Sequence, residues 1–329
     1  MNYNIVRKLE RGNAFFQYEE KSLFVDVFGI HFLDENYQEE DSLIDFFNGT
    51  DGIVFEEHYL LLRSPRIGFK VYDLKEKKGI SFLQLKSEEM VGEDAYFIKD
   101  GKLYVVLGSN QNKMMDFILM DENENKDENS SRDIAVYDIW NFAIVDHYSV
   151  PIAMTRLYYV PFMDKTLAID DKNQVYELRN GNPILLDHIH FKVEQILSNP
   201  VRNEIYLMSL TGIRTYDSQF REINKIDMID SDYSIAKTEK KFGFDATIFG
   251  SVPQSDIVHY LGFVDSETFV CLKSFDVGSF FRVELIHIAN GDVSYTQDFG
   301  FPLEAIRPID AHRFLLKACG NLFIMEVRK

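Results

Sequence analysis

The residues of this chain that could do chemistry fall into a few short groupings. The segment "DHIH", Asp187 to His190, puts His188 and His190 two positions apart, so on an extended chain both imidazoles project from one side. That spacing suits two ligands of a metal ion with Asp187 as a neighbouring oxygen donor, and a third ligand from elsewhere would have to complete the site. The other histidines, His31, His58, His147, His259, His287 and His312, show no convergent spacing. The stretch "MDENENKDENSSRD", Met120 to Asp133, invites a calcium reading. Asp121, Asn123, Asn125 and Asp127 fall in step with the oxygen ligands of an EF-hand loop. Lys126 then stands where that loop needs glycine, and Arg132 stands where it needs a bidentate carboxylate. The segment therefore reads as a solvated acidic loop, 121–133, with at most weak cation binding.

Two further groupings suit binding better than catalysis. "RSPR" offers the guanidiniums of Arg63 and Arg66 beside a turn proline, a basic spot able to hold a carboxylate or phosphate. "KSFDVG" adds Lys273 and Phe275, and "KTEKKFGFDATIFGSVP" adds lysines next to Phe242 and Phe244, a mixture that suits a partner-binding loop. Nucleophile-elbow, phosphate-loop and dinucleotide glycine patterns are absent, and no cofactor is expected. An enzyme can also assemble its site from residues scattered along the sequence, so a metal-assisted hydrolase or lyase remains the alternative function.

Composition narrows the partner. The protein has 53 acidic against 35 basic side chains, a net charge of −18, which repels a phosphate backbone and argues against nucleic acid. No run approaches the roughly 18 apolar residues of a membrane span, and the N-terminus lacks a signal-peptide pattern, so a cytoplasmic protein without membrane contact is expected. Cys271 and Cys319 sit in apolar surroundings, "FVCLK" and "LLKAC", and read as buried reduced thiols.

The elements that position these groups emerge from a hidden repeat. An apolar run closing on an acid or its substitute recurs as "IHFLD", "FKVYD", "IAVYD", "QVYEL", "IRTYD", "VELIH" and "LFIME". The closing positions are 34, 73, 138, 177, 217, 287 and 326, spaced by 39, 65, 39, 40, 70 and 39 residues. Four intervals agree within one residue, and the two long ones exceed them as single insertions would. Around each instance lie further strand-like runs separated by turn chemistry such as "KDGK", "MDKT" and "VDSE". With 28 Phe and 17 Tyr the composition favours strands, and no helical period is sustained.

Four short strands every forty residues resemble the WD-repeat and related β-propeller superfamily, with "VYD" and "TYD" standing where that family often has Trp-Asp. What the resemblance implies is architecture: an all-β, seven-bladed β-propeller of four-stranded antiparallel blades forming a single domain over 1–329. Innermost strands are expected to begin near Phe15, Ile53, Ala95, Leu157, Val193, Ile257 and Leu303. The last repeat lacks a fourth strand and "NYNIVRKLE" lacks a partner, so the N-terminal strand is expected to close the ring. The insertions, about 110–133 in blade three and 228–255 between blades five and six, should rise from one face. A non-catalytic scaffold that binds a protein or peptide partner on that face is the functional expectation.

Overall fold

The computed structural model describes residues 3–86, 89–92, 95–109, 132–229, 257–275 and 280–327. These form seven antiparallel sheets and a single 3₁₀ turn, Pro161–Met163. The strands, in sequence order, start with β1 (Tyr3–Leu9), β2 (Ala14–Tyr18), β3 (Lys21–Val25), β4 (Gly29–Leu33) and β5 (Glu39–Ile44). The second sheet has β6 (Asp51–Phe55), β7 (Tyr59–Ser64), β8 (Gly68–Asp73) and β9 (Lys78–Gln84). The third has β10 (Glu89–Met90), β11 (Tyr96–Lys99), β12 (Lys102–Ser109), β13 (Arg132–Asp138) and β14 (Ile144–Val150). The fourth has β15 (Met154–Val160), β16 (Lys165–Asp170), β17 (Gln174–Arg179) and β18 (Asn182–His188). Next come β19 (Gln195–Asn199), β20 (Glu204–Met208), β21 (Gly212–Tyr216) and β22 (Glu222–Asp227), then β23 (Ile257–Phe263), β24 (Thr268–Phe275), β25 (Phe280–His287) and β26 (Val293–Phe299). The last strands are β27 (Ala305–Pro308), β28 (Arg313–Ala318) and β29 (Asn321–Val327).

Each sheet is an up-and-down meander in sequence order, and the seventh is completed from the N-terminal segment. There β1 lies antiparallel on β29 as the outermost strand, with Tyr3 opposite Val327 and Leu9 opposite Leu322. The expected innermost strands match β2, β6, β11, β15, β19, β23 and β27 to within three residues. The short β10 was not anticipated; it pairs with the last two residues of β12, ahead of β11 on the same edge. The architecture is that of an all-β, seven-bladed propeller.

Backbone packing separates two compact units, Asn13–His190 and Met1–Gly12 with Phe191–Lys329. The first holds blades one to four. Its apolar layers include Leu23, Leu60, Leu62 and Tyr72 between blades one and two, and Leu61, Phe69, Leu103, Val136 and Leu157 across blades two to four. The second holds blades five to seven, filled by Tyr206, Phe269 and Ile286 and by Leu272, Ile306, Phe314 and Met325. Each of these side chains is essentially solvent-free and contributes roughly 1.5–3 kcal/mol through burial.

The repeated acid is turn chemistry. Asp34 Oδ1 accepts from the backbone N–H of Asn36 (2.9 Å) and Gln38 (2.7 Å), and Asp73 Oδ1 from Lys75 (3.0 Å) and Glu76 (2.9 Å). Asp138 and Asp217 do the same for Trp140 (3.0 Å) and Gln219 (2.9 Å). Each caps the turn from the third strand to the fourth, satisfying N–H groups the ladder leaves open. In all six blades where those two strands are consecutive, their register also slips by one residue, near the end of the third strand in five of them and just after Val175, near its start, in blade four. This bulge deepens the local twist. His287 fills the same role, its Nδ1 accepting from Ala289 N–H at 3.4 Å, so it is a turn residue with no catalytic geometry. Glu177 departs from the pattern because β17 runs on to Arg179, and Asn180-Gly181, both at positive φ (50° and 79°), makes a two-residue hairpin instead.

A second recurrent signal went unread in the sequence. Gly29, Gly68 and Gly212 each open a third strand, and a Cβ there would lie 2.1, 1.9 and 2.3 Å from a carbonyl of the neighbouring fourth strand. Gly29 and Gly68 also sit at φ of +153° and +136°, which L side chains rarely adopt. The cysteine expectation is half corrected. Cys271 is fully buried in β24, and burial pushes its thiol up to about 12. Cys319 is exposed, because β28 stops at Ala318 and Cys319-Gly320 forms a tight turn with φ of 50° and 69°.

Candidate functional site

Arg63 and Arg66 part company in the structure. Arg63 is a β7 residue only 2% exposed, and its guanidinium is already engaged. Its Nε donates to Asp51 Oδ1 (2.8 Å) and Oδ2 (3.0 Å), its Nη2 also meets Oδ2, and its Nη1 donates to the carbonyl of Val91. Tyr96 completes the cluster, its hydroxyl donating to Asp51 Oδ1 at 2.9 Å. Asp51 and Arg63 belong to blade two, Val91 and Tyr96 to blade three. The pair is therefore a structural staple between blades, which corrects its reading as a surface basic spot. Arg66 is exposed in the β7–β8 turn.

Lys273 and Phe275 divide in the same way. Lys273, 6% exposed, pairs with buried Glu284 (Nζ to Oε2, 2.5 Å) and donates to the Met228 carbonyl (3.4 Å), so it too is structural. Alternate residues of a strand face opposite ways, and in β24 positions 271 and 273 both turn inward. Phe275 closes β24 half-buried, with the Arg282 guanidinium 5.0 Å from its ring centroid. Phe242 and Phe244 lie outside the described residues, as do Asp121, Asn123, Asn125, Lys126 and Asp127.

Asp187, His188 and His190 follow one another at the outer edge of blade four. His188 ends β18 opposite Gln174, and its ring lies 5.4 Å from that of His190. Asp187 Oδ1 accepts from His188 N–H at 2.8 Å. Among the described residues no group of three His, Cys, Asp or Glu side chains gathers at ligand distance, so these remain a pair and its neighbour.

Two polar clusters were missed because strand pairing and turn geometry, which spacing alone does not record, bring their members together. His259 Nε2 lies 2.6 Å from Ser274 Oγ, across the paired ends of β23 and β24. Burial lowers the basicity of His259, which suits it to accept the Ser274 proton, but Ser274 is 3% exposed and the imidazole stacks on Phe281 (5.7 Å). The second cluster surrounds His31. Its Nε2 lies 3.0 Å from Asp26 Oδ1 and its Nδ1 3.1 Å from Glu39 Oε1, and its ring stacks on Phe24 at 4.5 Å. Burial works against protonation here, yet the two carboxylates outweigh it and raise the imidazole above its ordinary value. A raised folded-state value means the contribution to stability is complete below the unfolded-state value, about 6.5, and is lost as pH rises through the folded one. The unfolding midpoint in urea should therefore fall between about pH 6 and pH 8, and the fall should be smaller in His31→Gln. Parallel pH profiles for the two proteins would contradict the assignment.

What the described surface does gather is apolar. Antiparallel strands alternate, so in every blade the turn from strand two to strand three and the exit from strand four lie at one end. In blade one that end carries Val27 and Phe28 in the β3–β4 turn and Ile44 and Phe46 on the way out of β5. Ile44 and Phe46 are each 75% exposed, and Asp45 N–H donates to the Phe28 carbonyl at 2.9 Å, drawing the two segments together. Asp26 shapes the turn by accepting from Phe28 N–H (2.7 Å) and Gly29 N–H (3.0 Å). Blade two adds exposed Ile67 beside Arg66, and Phe82, whose ring meets Phe47 edge-on at 5.9 Å. At the corresponding end of blade three β12 stops at Ser109 and β13 begins at Arg132, and in blade five β22 stops at Asp227.

The class these features define is a seven-bladed β-propeller. The protein is similar in fold to the WD40 propeller domain of Doa1 (TM-score 0.60, 11% identity, covering 99% of this chain and 97% of that one). It is likewise similar to the C-terminal WD40 domain of Sif2 (TM-score 0.59, 7% identity, 97% and 82%) and to BamB from Moraxella catarrhalis (TM-score 0.54, 9% identity, 98% and 99%). No protein-family model and no curated protein matches the sequence.

Proposed function

We propose that this protein is a non-catalytic interaction scaffold that docks a protein partner at the insertion-bearing ends of its blades. The observation that carries this reading is the patch of Phe28, Ile44 and Phe46 in blade one. Large aromatic and aliphatic side chains held half to three-quarters in water cost free energy unless something covers them, and contiguous patches of this kind mark interaction sites. Loops on a rigid all-β frame suit recognition, and the WD40 likeness in fold fits that use. The side chains just inside these ends support it as well. Arg63 is consumed in a buried pair with Asp51, so it braces blade two beneath the surface that binds. Of the residues the sequence pointed to, Arg66 stays in the proposed surface, beside Ile67.

The partner's chemistry follows from the patch and its setting. It should present apolar side chains to Phe28 and Phe46 and carry basic residues toward exposed Glu40 of β5, on a protein of net charge −18. Affinity capture from the native cell should recover a partner with the wild-type protein and lose it with Phe28→Ser/Phe46→Ser. A variant lacking residues 237–251 reports on the second insertion. The same partners from all three proteins at equal strength would overturn the proposed surface. Stoichiometric, tightly held metal in the purified protein would overturn the non-catalytic reading.

A further inference from the structure

A separate cleft of ≈ 360 Å³ opens between blades three and four, at the opposite end of the blades from the patch just described. Its rim is made by the β15–β16 turn and the Asn180-Gly181 hairpin. One wall is aromatic. Phe97 stacks on Tyr104 (4.6 Å, 7°) and on Tyr159 (5.5 Å, 17°), which fixes all three rings. Tyr148 stands against Gly181, where a Cβ would come within 2.9 Å of it, and its hydroxyl donates to Asp146 at 2.6 Å. The floor is apolar, formed by Ile134 and buried Leu157.

The other wall is charged. Glu177, 6% exposed, is held between Lys165 (3.1 Å) and Arg179, whose guanidinium beside it keeps the carboxyl below its usual range against the pull of burial. Lys99 is paired with Asp164, and Tyr159 donates to the same carboxylate at 2.8 Å. The cleft thus gathers three cations against two carboxylates on a protein whose net charge is −18. Arg179 spends its Nε on Glu177 and leaves its side chain 62% exposed at the mouth.

We infer that this cleft binds a peptide group in which an apolar side chain sits next to a single carboxylate. The apolar side chain enters between Tyr104, Tyr148 and Leu157, and the carboxylate meets the outer nitrogens of Arg179, a planar fork suited to it. The volume matches the lower end of small-ligand pockets and accommodates one or two side chains. The local excess of one positive charge matches a monoanion. A phosphate dianion would be opposed by Glu177 and Asp164, which stay ionised at neutral pH because each sits beside a cation. A free C-terminal carboxylate and an internal glutamate next to an apolar residue both supply this chemistry.

Three peptides separate the sources by isothermal titration: N-acetyl-Phe-Leu as the free acid, the same peptide as its amide, and N-acetyl-Phe-Glu amide. At least one acid should bind saturably, with the neutral amide weaker by roughly tenfold, the size of one charge-assisted contact. Preference for the first acid assigns a peptide terminus, and preference for the third assigns an acidic side group. Arg179→Gln should weaken the preferred acid by a similar factor while leaving the amide unaffected, a readout that a merely structural change would not produce. Equal binding of all three peptides, no saturable binding of either acid, or an Arg179→Gln affinity equal to wild type would each overturn the assignment. The patch of blade one is untouched by these variants, so the outcome is independent of the scaffold proposal.

Discussion

Removal of residues 1–10 is expected to lower the melting temperature by on the order of 10 °C or to prevent soluble accumulation altogether. The segment is nearly all β1, and β1 is the fourth strand of blade seven. It pairs with β29 through six register positions, from Tyr3–Val327 to Leu9–Leu322. Net gains of about 1 kcal/mol per backbone hydrogen bond, with burial of Leu9 and contact of Tyr3 with Phe299 (5.3 Å), bring the loss to on the order of 5 kcal/mol. Its removal also leaves β29 as an open edge, free to pair with another molecule. Thermal unfolding followed by circular dichroism, together with light scattering, measures both consequences. A truncated protein that melts with the full-length one and stays monodisperse would show that β1 contributes nothing to blade seven.

Arg63→Ala is expected to cost about 3–5 kcal/mol, the range for stripping one partner from a buried ion pair. The size follows from what is left behind. Among the described residues Asp51, 8% exposed, would keep only the Tyr96 hydroxyl, and the Val91 carbonyl would lose a charged donor inside the blade two to blade three contact. The cost should be largely recovered when Asp51 is replaced as well, because apolar side chains of similar volume escape the desolvation penalty that the charges bear. Urea unfolding of Arg63→Ala, Arg63→Met and Asp51→Leu/Arg63→Met makes the comparison. A loss under 1 kcal/mol for Arg63→Ala, the value of an exposed pair, would place the arginine at the surface after all.

These two cases show where the fold was legible. The spacing of Asp34, Asp73, Asp138 and Asp217 could be read because each performs a local act, accepting N–H groups two to four residues ahead, and local acts leave a fixed period. Pairing of the N-terminus with "NLFIMEV" followed from counting strands, since a blade short of one strand and a strand short of a blade complete each other. The glycines at 29, 68 and 212 were legible in principle: each precedes an apolar residue at the start of a third strand. Their requirement is set by a carbonyl of the neighbouring strand, and for Gly29 and Gly68 also by backbone conformation.

Side-chain roles were far less legible. "RSPR" gave no hint that one arginine would be spent and the other exposed, because strand alternation sends Arg63 inward only once the register against Asp51 is known. The same holds for Lys273 with Glu284, eleven residues apart, and for His259 with Ser274, fifteen apart. The apolar patch joins two turns held together by the hydrogen bond from Asp45 N–H to the Phe28 carbonyl and by the pairing of Gly29 with Ile44, and the charged cleft joins two blades.

The number of blades, the order of their strands and the completion of the seventh were determined by the sequence alone. All of these rest on hydrophobic alternation and turn residues, forces that act within a few positions. Only the tertiary structure decided which charges are buried staples and which face water, and where apolar surface gathers. Those outcomes depend on register and on the approach of neighbouring blades, distances that no spacing along a single sequence records.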